Sequence, residues 1–216
     1  MKTKAAAYRE AVKVGGFSLP SKMPCHSYSI PAAFCKVGAE LAKIAGTPCA
    51  ICYAKKGRYV FPVVQAAMMR RYESLNRFDW VNVMAACINR LEGDSLGSGF
   101  FRWHDSGDLQ SVDHLAAIVR VCTLTPSVKH WLPTRERLIV REYLNNSGTI
   151  PGNLCVRFSG NKVDHPTASA PAPCTRSEIS TDASKATCPA PKQGGSCLDC
   201  RACWDRETEV VTYRAH

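Results

Sequence analysis

The sequence predicts an α/β protein: a partial, open parallel β/α barrel-like sheet with cysteine-rich, metal-binding N- and C-terminal segments. Three observations support this fold class. Short apolar runs alternate with helical patterns in the middle of the chain. The 216 residues are fewer than the roughly 250 of a complete eight-stranded barrel. Twelve cysteines are present, most of them near the two ends of the chain.

The alternation begins with apolar positions at helical spacing between residues 63 and 91, which predict two helices or one bent helix with Asp79 as a cap. Short connections between the next strands and helices favour parallel pairing. The predicted order is strand 99–103, helix 112–124, strand 128–132, a helix capped by Thr134 that stops at Gly148, and strand 154–158.

The chain divides by composition into two regions. Residues 1–160 form the predicted α/β domain, which includes the N-terminal metal-binding segment. Residues 161–216 contain few large apolar side chains and many Ala, Pro, Ser and Thr. Such a segment cannot build a packed core alone, so we expect an irregular, cysteine-rich segment that is pinned by Cys174 or Cys188 and holds a second metal centre.

The chain has no signal-peptide pattern and no apolar run of membrane-spanning length. We therefore expect a cytoplasmic protein without membrane contact, in which cysteines serve as metal ligands rather than disulfides. The formal charge of +10 favours an acidic partner such as nucleic acid. Because Lys and Arg are spread along the chain, general solvation explains the charge about equally well.

The C-terminal cysteines carry the most specific metal-binding signal. Their C-x2-C spacing is similar to the run that holds a cubic cluster in bacterial ferredoxins, and a proline follows the first of them. Zinc more often uses two separated C-x2-C pairs, so iron–sulfur is favoured and zinc is the alternative. The predicted ligands are Cys188, Cys197, Cys200 and Cys203.

The N-terminal cysteines form a weaker set, since only Cys49 and Cys52 are tightly spaced. We assign Cys25 and Cys35 to the same centre by proximity, leaving open zinc, replacement of one ligand by His26, or a site made by the tight pair alone. Cysteines on apolar helix faces or within strands are usually small buried hydrophobes. We expect this role for Cys87, Cys122 and Cys155.

The carboxyl ends of parallel strands usually carry the ligand site, and the segments that follow these predicted strands are rich in functional side chains. Acids and histidine can transfer protons, arginine can hold phosphate or carboxylate, and glycine allows close approach. The catalytic candidates are His104, Asp105, Asp108, Arg135 and Arg157, and the cofactor-binding candidates are Ser106, Gly107 and Ser159. A purely structural role, such as helix capping by Asp108 and Ser111, remains open for each residue.

Several separated motifs resemble those of the bacteriophage family called gene product eighty-eight. They span residues 25–204 in the same order and comprise 49–59 (CAICYAKKGRY), 101–108 (FRWHDSGD), 133–135 (PTR) and the cysteine run that ends in Cys203 and Trp204. This resemblance implies a phage protein that acts in the infected bacterial host and contains metal, without implying a reaction.

A more distant resemblance is to radical S-adenosylmethionine enzymes, which combine a cluster near the chain start with a full or partial parallel barrel. In this resemblance, residues 106–108 occupy the place of a glycine-and-acid loop that holds the methionyl group. The usual C-x3-C-x2-C loop is missing from this sequence. Four cysteines at the first centre would also leave no open iron for S-adenosylmethionine.

These observations favour a phage-encoded protein that binds one or two iron–sulfur clusters of the [4Fe-4S] type and modifies nucleic acid or nucleotide by radical-type chemistry. One alternative is a non-enzymatic protein that uses zinc or clusters as structural staples and binds nucleic acid or a host protein. Electron transfer between two centres is the other. The sequence leaves the oligomeric state open.

Overall fold

The computed structural model describes residues 3–95 and 97–215. Within them the chain forms six β-strands and six α-helices, joined by 3-10 turns and one π-helical turn, Asn89–Gly93. The strands are β1 Ser27–Tyr28, β2 Phe100–Trp103, β3 Lys129–Thr134, β4 Leu154–Ser159, β5 Thr175–Ser180 and β6 Val210–Arg214. The helices are α1 Lys4–Ala11, α2 Val37–Leu41, α3 Pro62–Ser74, α4 Trp80–Ile88, α5 Val112–Leu124 and α6 Arg137–Asn145.

All six strands form one parallel sheet in the order β1-β2-β3-β4-β5-β6. Each strand pairs with the next strand along the chain, whereas a doubly wound sheet reverses its order at a switch point. Among the described residues β1 and β6 do not pair, so the sheet stays open. The predicted open, parallel α/β sheet is therefore confirmed.

One face of the sheet is covered by helices. In a strand, alternate side chains point to the same face, and Phe101 and Trp103 of β2 share the main core with Leu132 of β3. Helix α4 contributes Trp80 and Met84 to this core. Helices α5 and α6 cover the same face, with Leu115, Ile118, Cys122 and Val140 buried.

The opposite face is covered by the C-terminal segment. Phe100 of β2 and Trp131 of β3 pack against Trp204, with ring centroids 5.5 and 5.2 Å from its ring. The buried Cys25, which comes just before β1, belongs to the same cluster. The sheet therefore separates a helical layer from a layer built largely of cysteine-bearing chain.

The sequence predicted several elements well and missed others. The region 63–91 forms two helices, α3 and α4, and helix α5 has the predicted bounds. Strands β2, β3 and β4 lie where expected, and Ser111 caps α5 by accepting a hydrogen bond from the amide of His114. Thr134 ends β3 instead of capping α6, whose N-cap is Glu136.

The prediction that residues 161–216 are irregular was wrong for two stretches, which form β5 and β6. Most side chains of β5 are polar, so the apolar pattern of a buried strand is absent there. Strand β6 contains Val210, Val211 and Tyr213, a short run of strand-forming residues that was missed. The two strands gain their order from backbone pairing with β4 and with each other. No helix in residues 3–95 and 97–215 is long and apolar enough to cross a membrane.

Candidate functional site

Three of the predicted N-terminal ligands, Cys35, Cys49 and Cys52, come together at the carboxyl edge of the sheet; we call them the edge cysteines. Burial, then Asp108 and the thiols of Cys52 and Cys49, raise the pKa of Cys35 to about 12. Cys52 also raises the pKa of Cys49, after burial. These mutual effects place the three thiols within electrostatic reach of one another and of the loop that follows β2.

Gly38 of α2 leaves open space beside two of these thiols. A Cβ atom at this position would lie 3.6 Å from the Cys49 Sγ, 3.7 Å from the Cys35 Sγ and 3.1 Å from the Cys35 Cβ. The last distance is tighter than an ordinary van der Waals contact. Glycine therefore leaves room beside both sulfur atoms.

Asp108 joins the loop after β2 to the end of β3. Its carboxylate accepts hydrogen bonds from the Thr134 hydroxyl at 2.6 Å, the Arg135 amide at 2.9 Å and the Leu109 amide at 2.8 Å. Burial raises the pKa of Asp108 to about 6, although these three hydrogen bonds favour the charged form. The acid predicted to take part in chemistry thus also fixes the position of Arg135.

Asp105 anchors two tyrosines that follow the edge cysteines in sequence. The hydroxyl of Tyr59 donates to the Asp105 carboxylate at 3.0 Å, and the hydroxyl of Tyr53 donates to the Asp105 carbonyl. Their ring centroids lie 5.6 Å apart with the rings edge to face. Asp105 therefore holds the segment around Cys52 against the loop after β2.

Several buried polar atoms in this region have no hydrogen-bond partner within the described part of the chain. They are both ring nitrogens of His104, one carboxylate oxygen of Asp105, the Ser106 hydroxyl and the Nε of Arg135. Buried polar atoms are normally paired, and each exception requires an explanation. A bound ligand with donors and acceptors can satisfy those that face the site.

Arg135 and Glu136 extend the site along the end of β3. The Arg135 guanidinium donates to the Gly160 carbonyl at 3.2 Å and acts to lower the pKa of Cys49. The Glu136 carboxylate accepts from the Val37 amide at 2.9 Å, which links β3 to the start of α2. A cation and a carboxylate thus lie beside the edge cysteines.

His104 and Gly107 adopt left-handed backbone conformations, with φ values of 51° and 82°. The ring of His104 lies 5.4 Å from that of His114 in α5, so it faces the helical layer. Burial, followed by His114 and Arg102, keeps the pKa of His104 well below its ordinary value. A Cβ on Gly107 would lie 2.2 Å from the Ile30 side chain, so the loop needs glycine to pass this residue.

Cys25 lies with the predicted C-terminal ligands rather than with the edge cysteines. We call Cys25, Cys188, Cys197, Cys200 and Cys203 the sheet-face cysteines. After burial, neighbouring thiols raise the pKa of three of these cysteines. Cys197 raises the pKa of Cys25, and Cys188 raises that of Cys203. The pKa of Cys197 is raised by both Cys188 and Cys200. The Cys203 Sγ is also 3.1 Å from the Tyr213 hydroxyl. The structure therefore brings together three thiols at one place and five at the other.

Arg102 of β2 lies between the two groups of cysteines. Its guanidinium is 4.3 Å from the ring centroid of Trp131, and it donates to the Met23 sulfur at 3.1 Å and to the Tyr53 hydroxyl at 3.4 Å. Burial raises the pKa of both Cys25 and Cys203, and the charge of Arg102 opposes part of this rise. Arg102 thus contacts the segment after Cys52 and acts on the sheet-face cysteines.

Two other predicted site residues, Arg157 and Ser159, have contacts with β5 or with the C-terminal segment. Arg157 is fully buried and donates to the carbonyls of Arg176, Ala202, Asp205 and Thr208. Ser159 ends β4 opposite Ser177. Of the cysteines expected in the core, Cys87 and Cys122 lie in the main cluster, whereas Cys155 is buried near Thr175 and Arg157.

Sequence reasoning missed several residues that shape the site, namely Gly38, Tyr53, Tyr59, Arg102 and Glu136. Three of them carry a sequence signal. Arg102 lies between Phe101 and Trp103 in a strand. Its charged side chain must therefore point to the face of the sheet opposite to the two aromatic rings. The tyrosines follow the tight cysteine pair directly, in a segment already singled out by its motif.

All twelve cysteines are free thiols. In residues 3–95 and 97–215, no three His, Cys, Asp or Glu side chains are arranged to hold a single metal ion. Neither the curated proteins nor the solved structures compared with the chain matched it. A family model described as Gene product 88 matches residues 1–206. The chain therefore belongs to the Gene product 88 family, which confirms the resemblance carried by its motifs.

Proposed function

We propose that this protein binds two iron–sulfur clusters and that the edge cysteines hold the reactive one, in an enzyme that modifies nucleic acid with S-adenosylmethionine. The observation that carries this proposal is the convergence of three free thiols at the carboxyl edge of the sheet, beside Asp108 and Arg135. This edge is where parallel α/β sheets usually bind their ligands.

The residues at the edge fit a cluster in two respects. The thiols of Cys35 and Cys49 face a gap that a side chain at Gly38 would fill. Thiolates are also the ligands that iron–sulfur clusters require. Three cysteines, rather than the four expected from the sequence, leave one iron of a cubic cluster without a protein ligand, which removes an objection to radical-type chemistry.

Such a cluster supplies an electron and an open iron position for S-adenosylmethionine. The chain supplies the groups that orient this molecule. Arg135, whose Nε has no partner among the described residues, suits a carboxylate because guanidinium binds carboxylates by paired hydrogen bonds. The unpaired Asp105 oxygen can accept from an amine or hydroxyl, and the Ser106 hydroxyl can serve as donor or acceptor.

The sheet-face cysteines support a second cluster. Five thiols from residues 25 and 188–203 lie near one another, which is more than the four that one cubic cluster needs. Two of these thiols, Cys25 and Cys203, pack with Phe100, Trp131 and Trp204, which excludes water from one side. The role of such a cluster is structural support of the C-terminal segment, electron supply to the edge cluster, or both.

Electron transfer alone is a second candidate function, favoured by Arg102. This cation contacts Tyr53, next to an edge cysteine, and acts on Cys25 and Cys203. The two functions differ in their need for S-adenosylmethionine. An electron carrier would cycle between redox states without cleaving it.

Anaerobic purification followed by counting of iron, sulfide and zinc tests the metal content. We expect about eight iron atoms per chain, in two cubic clusters. The double variants Cys49→Ala/Cys52→Ala and Cys197→Ala/Cys200→Ala should each lose about half of the iron. The buried Cys87→Ala and Cys122→Ala variants serve as controls that keep it. Folded, oxygen-protected protein without iron would contradict the proposal.

Incubation of the reduced protein with S-adenosylmethionine tests the reaction. With dithionite as the electron donor, we expect one-electron cleavage of the sulfonium C–S bond. The products are methionine and 5′-deoxyadenosine, whose 5′-carbon takes a hydrogen atom from the substrate or, without substrate, from the buffer. This cleavage should be lost in Cys49→Ala/Cys52→Ala and weakened in Arg135→Ala. A Gly38→Ala variant should lower the iron content of the edge cluster because its Cβ fills the gap beside Cys35 and Cys49. Two intact clusters without any cleavage would favour the electron carrier.

A further inference from the structure

The chain around the edge cysteines is basic. Residues 41–72 contain six Lys and Arg residues and no Asp or Glu. Lys55, Lys56 and Arg58 are exposed, and none of the ion pairs in the described part of the chain includes them. Lys55 also acts to lower the pKa of Cys49, so its charge lies close to the candidate reactive site.

The same segment exposes large apolar side chains. Among the described residues, seven exposed large apolar side chains lie in this segment. They are Ile44, Ile51, Tyr53, Val60, Phe61, Val63 and Met69. Scattered exposed apolar residues are ordinary, but a concentration in one segment marks an interaction site. Tyr53 is 57% exposed and Phe61 is 53% exposed, so both aromatic rings reach the surface.

Tyr53 is held in place although its ring is exposed. Its hydroxyl donates to the Asp105 carbonyl, and its ring lies edge to face against that of Tyr59. Anchoring at the hydroxyl end leaves the ring without the freedom to turn away from the surface. A base that stacks on this ring would therefore bind at a lower entropic cost than on a free side chain.

We propose that residues 43–63 form a binding surface for single-stranded nucleic acid, in which bases stack on Tyr53 and Phe61 and phosphates contact Lys55, Lys56 and Arg58. This inference rests on the proposed function and names its substrate class. Interleaved aromatic and basic side chains are typical of proteins that bind single strands. Duplexes conceal the base faces that stacking needs, so the exposed aromatic rings favour a single strand.

The position of this surface determines what reaches the edge cysteines. Cys49 and Cys52 lie within the segment, and Tyr53 follows Cys52 directly. A strand that stacks on Tyr53 brings its next nucleotide beside Asp105 and the end of β2. The surface thus delivers a nucleotide to the same edge of the sheet at which the unpaired polar atoms lie.

Fluorescence anisotropy with labelled 20-nucleotide dT and U strands and a duplex of the same length tests the surface, using the full-length protein. We expect both single strands or one of them to bind more tightly than the duplex, with affinity that falls as salt rises. A preference between dT and U assigns the substrate as DNA or RNA. Absence of single-strand binding, or tighter binding of the duplex, would overturn the proposal.

Two matched pairs of variants locate the binding. Lys55→Glu/Lys56→Glu should weaken binding at least about tenfold and reduce its salt dependence. The control, Arg141→Glu/Lys162→Glu, changes the net charge by the same amount at exposed positions outside the surface and should weaken binding much less. Phe61→Ala should weaken binding by about tenfold. Phe78→Ala removes an aromatic ring that is 98% exposed outside the surface and should have no effect. Equal losses in test and control variants would overturn the assignment.

Iron content and thermal unfolding of each preparation separate this inference from the proposed function. If protein without iron binds single strands in the expected pattern, the binding surface is supported and the cluster proposal is contradicted. Iron-loaded protein that binds no single strand would overturn the binding surface and leave the cluster proposal in place. Because Lys55, Lys56 and Phe61 are exposed, we expect these variants to fold and to keep their iron.

Discussion

The indole Nε1 of Trp204 donates a hydrogen bond to the backbone carbonyl of Phe101 at 2.8 Å. These residues are far apart in sequence, and their contact fastens the cysteine-rich C-terminal segment to the second strand of the sheet. Trp204 is almost fully buried between Phe100 and Trp131. The C-terminal segment is thus part of the packed structure and not an appended tail.

Removal of this anchor should destabilise the whole protein. We expect Trp204→Ala to lower the free energy of unfolding by about 3–5 kcal/mol, since it empties a large buried site. Trp204→Phe keeps a ring but loses the N–H donor and should cost less, about 1–2 kcal/mol. Urea unfolding measures both. Leu198→Ala, at an exposed position of the same segment, is the control. Equal stability of Trp204→Ala and wild type would show that the segment is not docked in solution.

Arg157 should act as a structural residue. Its guanidinium donates to four backbone carbonyls that belong to β5 and the segment before β6. Arg157→Met fills similar volume without donors, so buried carbonyls lose their partners and the protein should lose at least about 3 kcal/mol in urea unfolding. The exposed Arg214→Met should change stability little. A stable Arg157→Met variant without activity would instead indicate the catalytic role predicted from the sequence.

Gly107 should tolerate no side chain. Alanine there must adopt a φ of 82° and place its Cβ 2.2 Å from the Ile30 side chain and 2.8 Å from the Ile30 carbonyl oxygen. Gly99 has a similar φ of 75° with no atom within 4 Å of the same position. Gly99→Ala should therefore show the backbone strain alone, about 1–2 kcal/mol, and Gly107→Ala should cost at least about 2 kcal/mol more. Equal losses in thermal unfolding would contradict this distinction.

His130 should make the protein sensitive to acid. Burial lowers the pKa of His130 to about 3, from an ordinary value of 6.5. Between pH 6.5 and pH 3, the imidazole of His130 is therefore protonated in the unfolded chain and neutral in the folded chain. The contribution of His130 to the free energy of unfolding is complete above pH 6.5 and is lost progressively as the pH falls toward 3. From pH 7 to pH 5, His130 should account for a loss of about 2 kcal/mol.

Urea unfolding of His130→Gln at the two pH values tests this prediction. The Nε2 of His130 lies 2.8 Å from the Thr125 hydroxyl, and glutamine retains a polar group there without titrating. His130→Gln should lose less stability than wild type between pH 7 and pH 5, whatever its stability at pH 7. The exposed His165→Gln should follow wild type. The same pH response in all three proteins would mean that His130 is protonated without penalty.

Much of the fold followed from local pattern. Helix α5 and strands β2 to β4 were predicted because apolar side chains recur at the spacing of the element that buries them. Burial of Cys87 and Cys122 followed from the same reasoning. Strand β1, with two residues, and strand β5, with a single large apolar side chain, carry no such signal, and the short run of β6 was missed. Pairing with neighbouring strands organises them.

The sequence by itself determined the order of the central elements from α3 to β4, the family and the abundance of cysteines, because each of these is recorded in local spacing or in a motif. Only the tertiary structure decided how the cysteines are divided. Cys25 is closer in sequence to Cys35 than to Cys197, yet β1 carries it to the face that the C-terminal segment covers. Contacts between distant parts of the chain depend on where the whole sheet places them, and no local pattern records that.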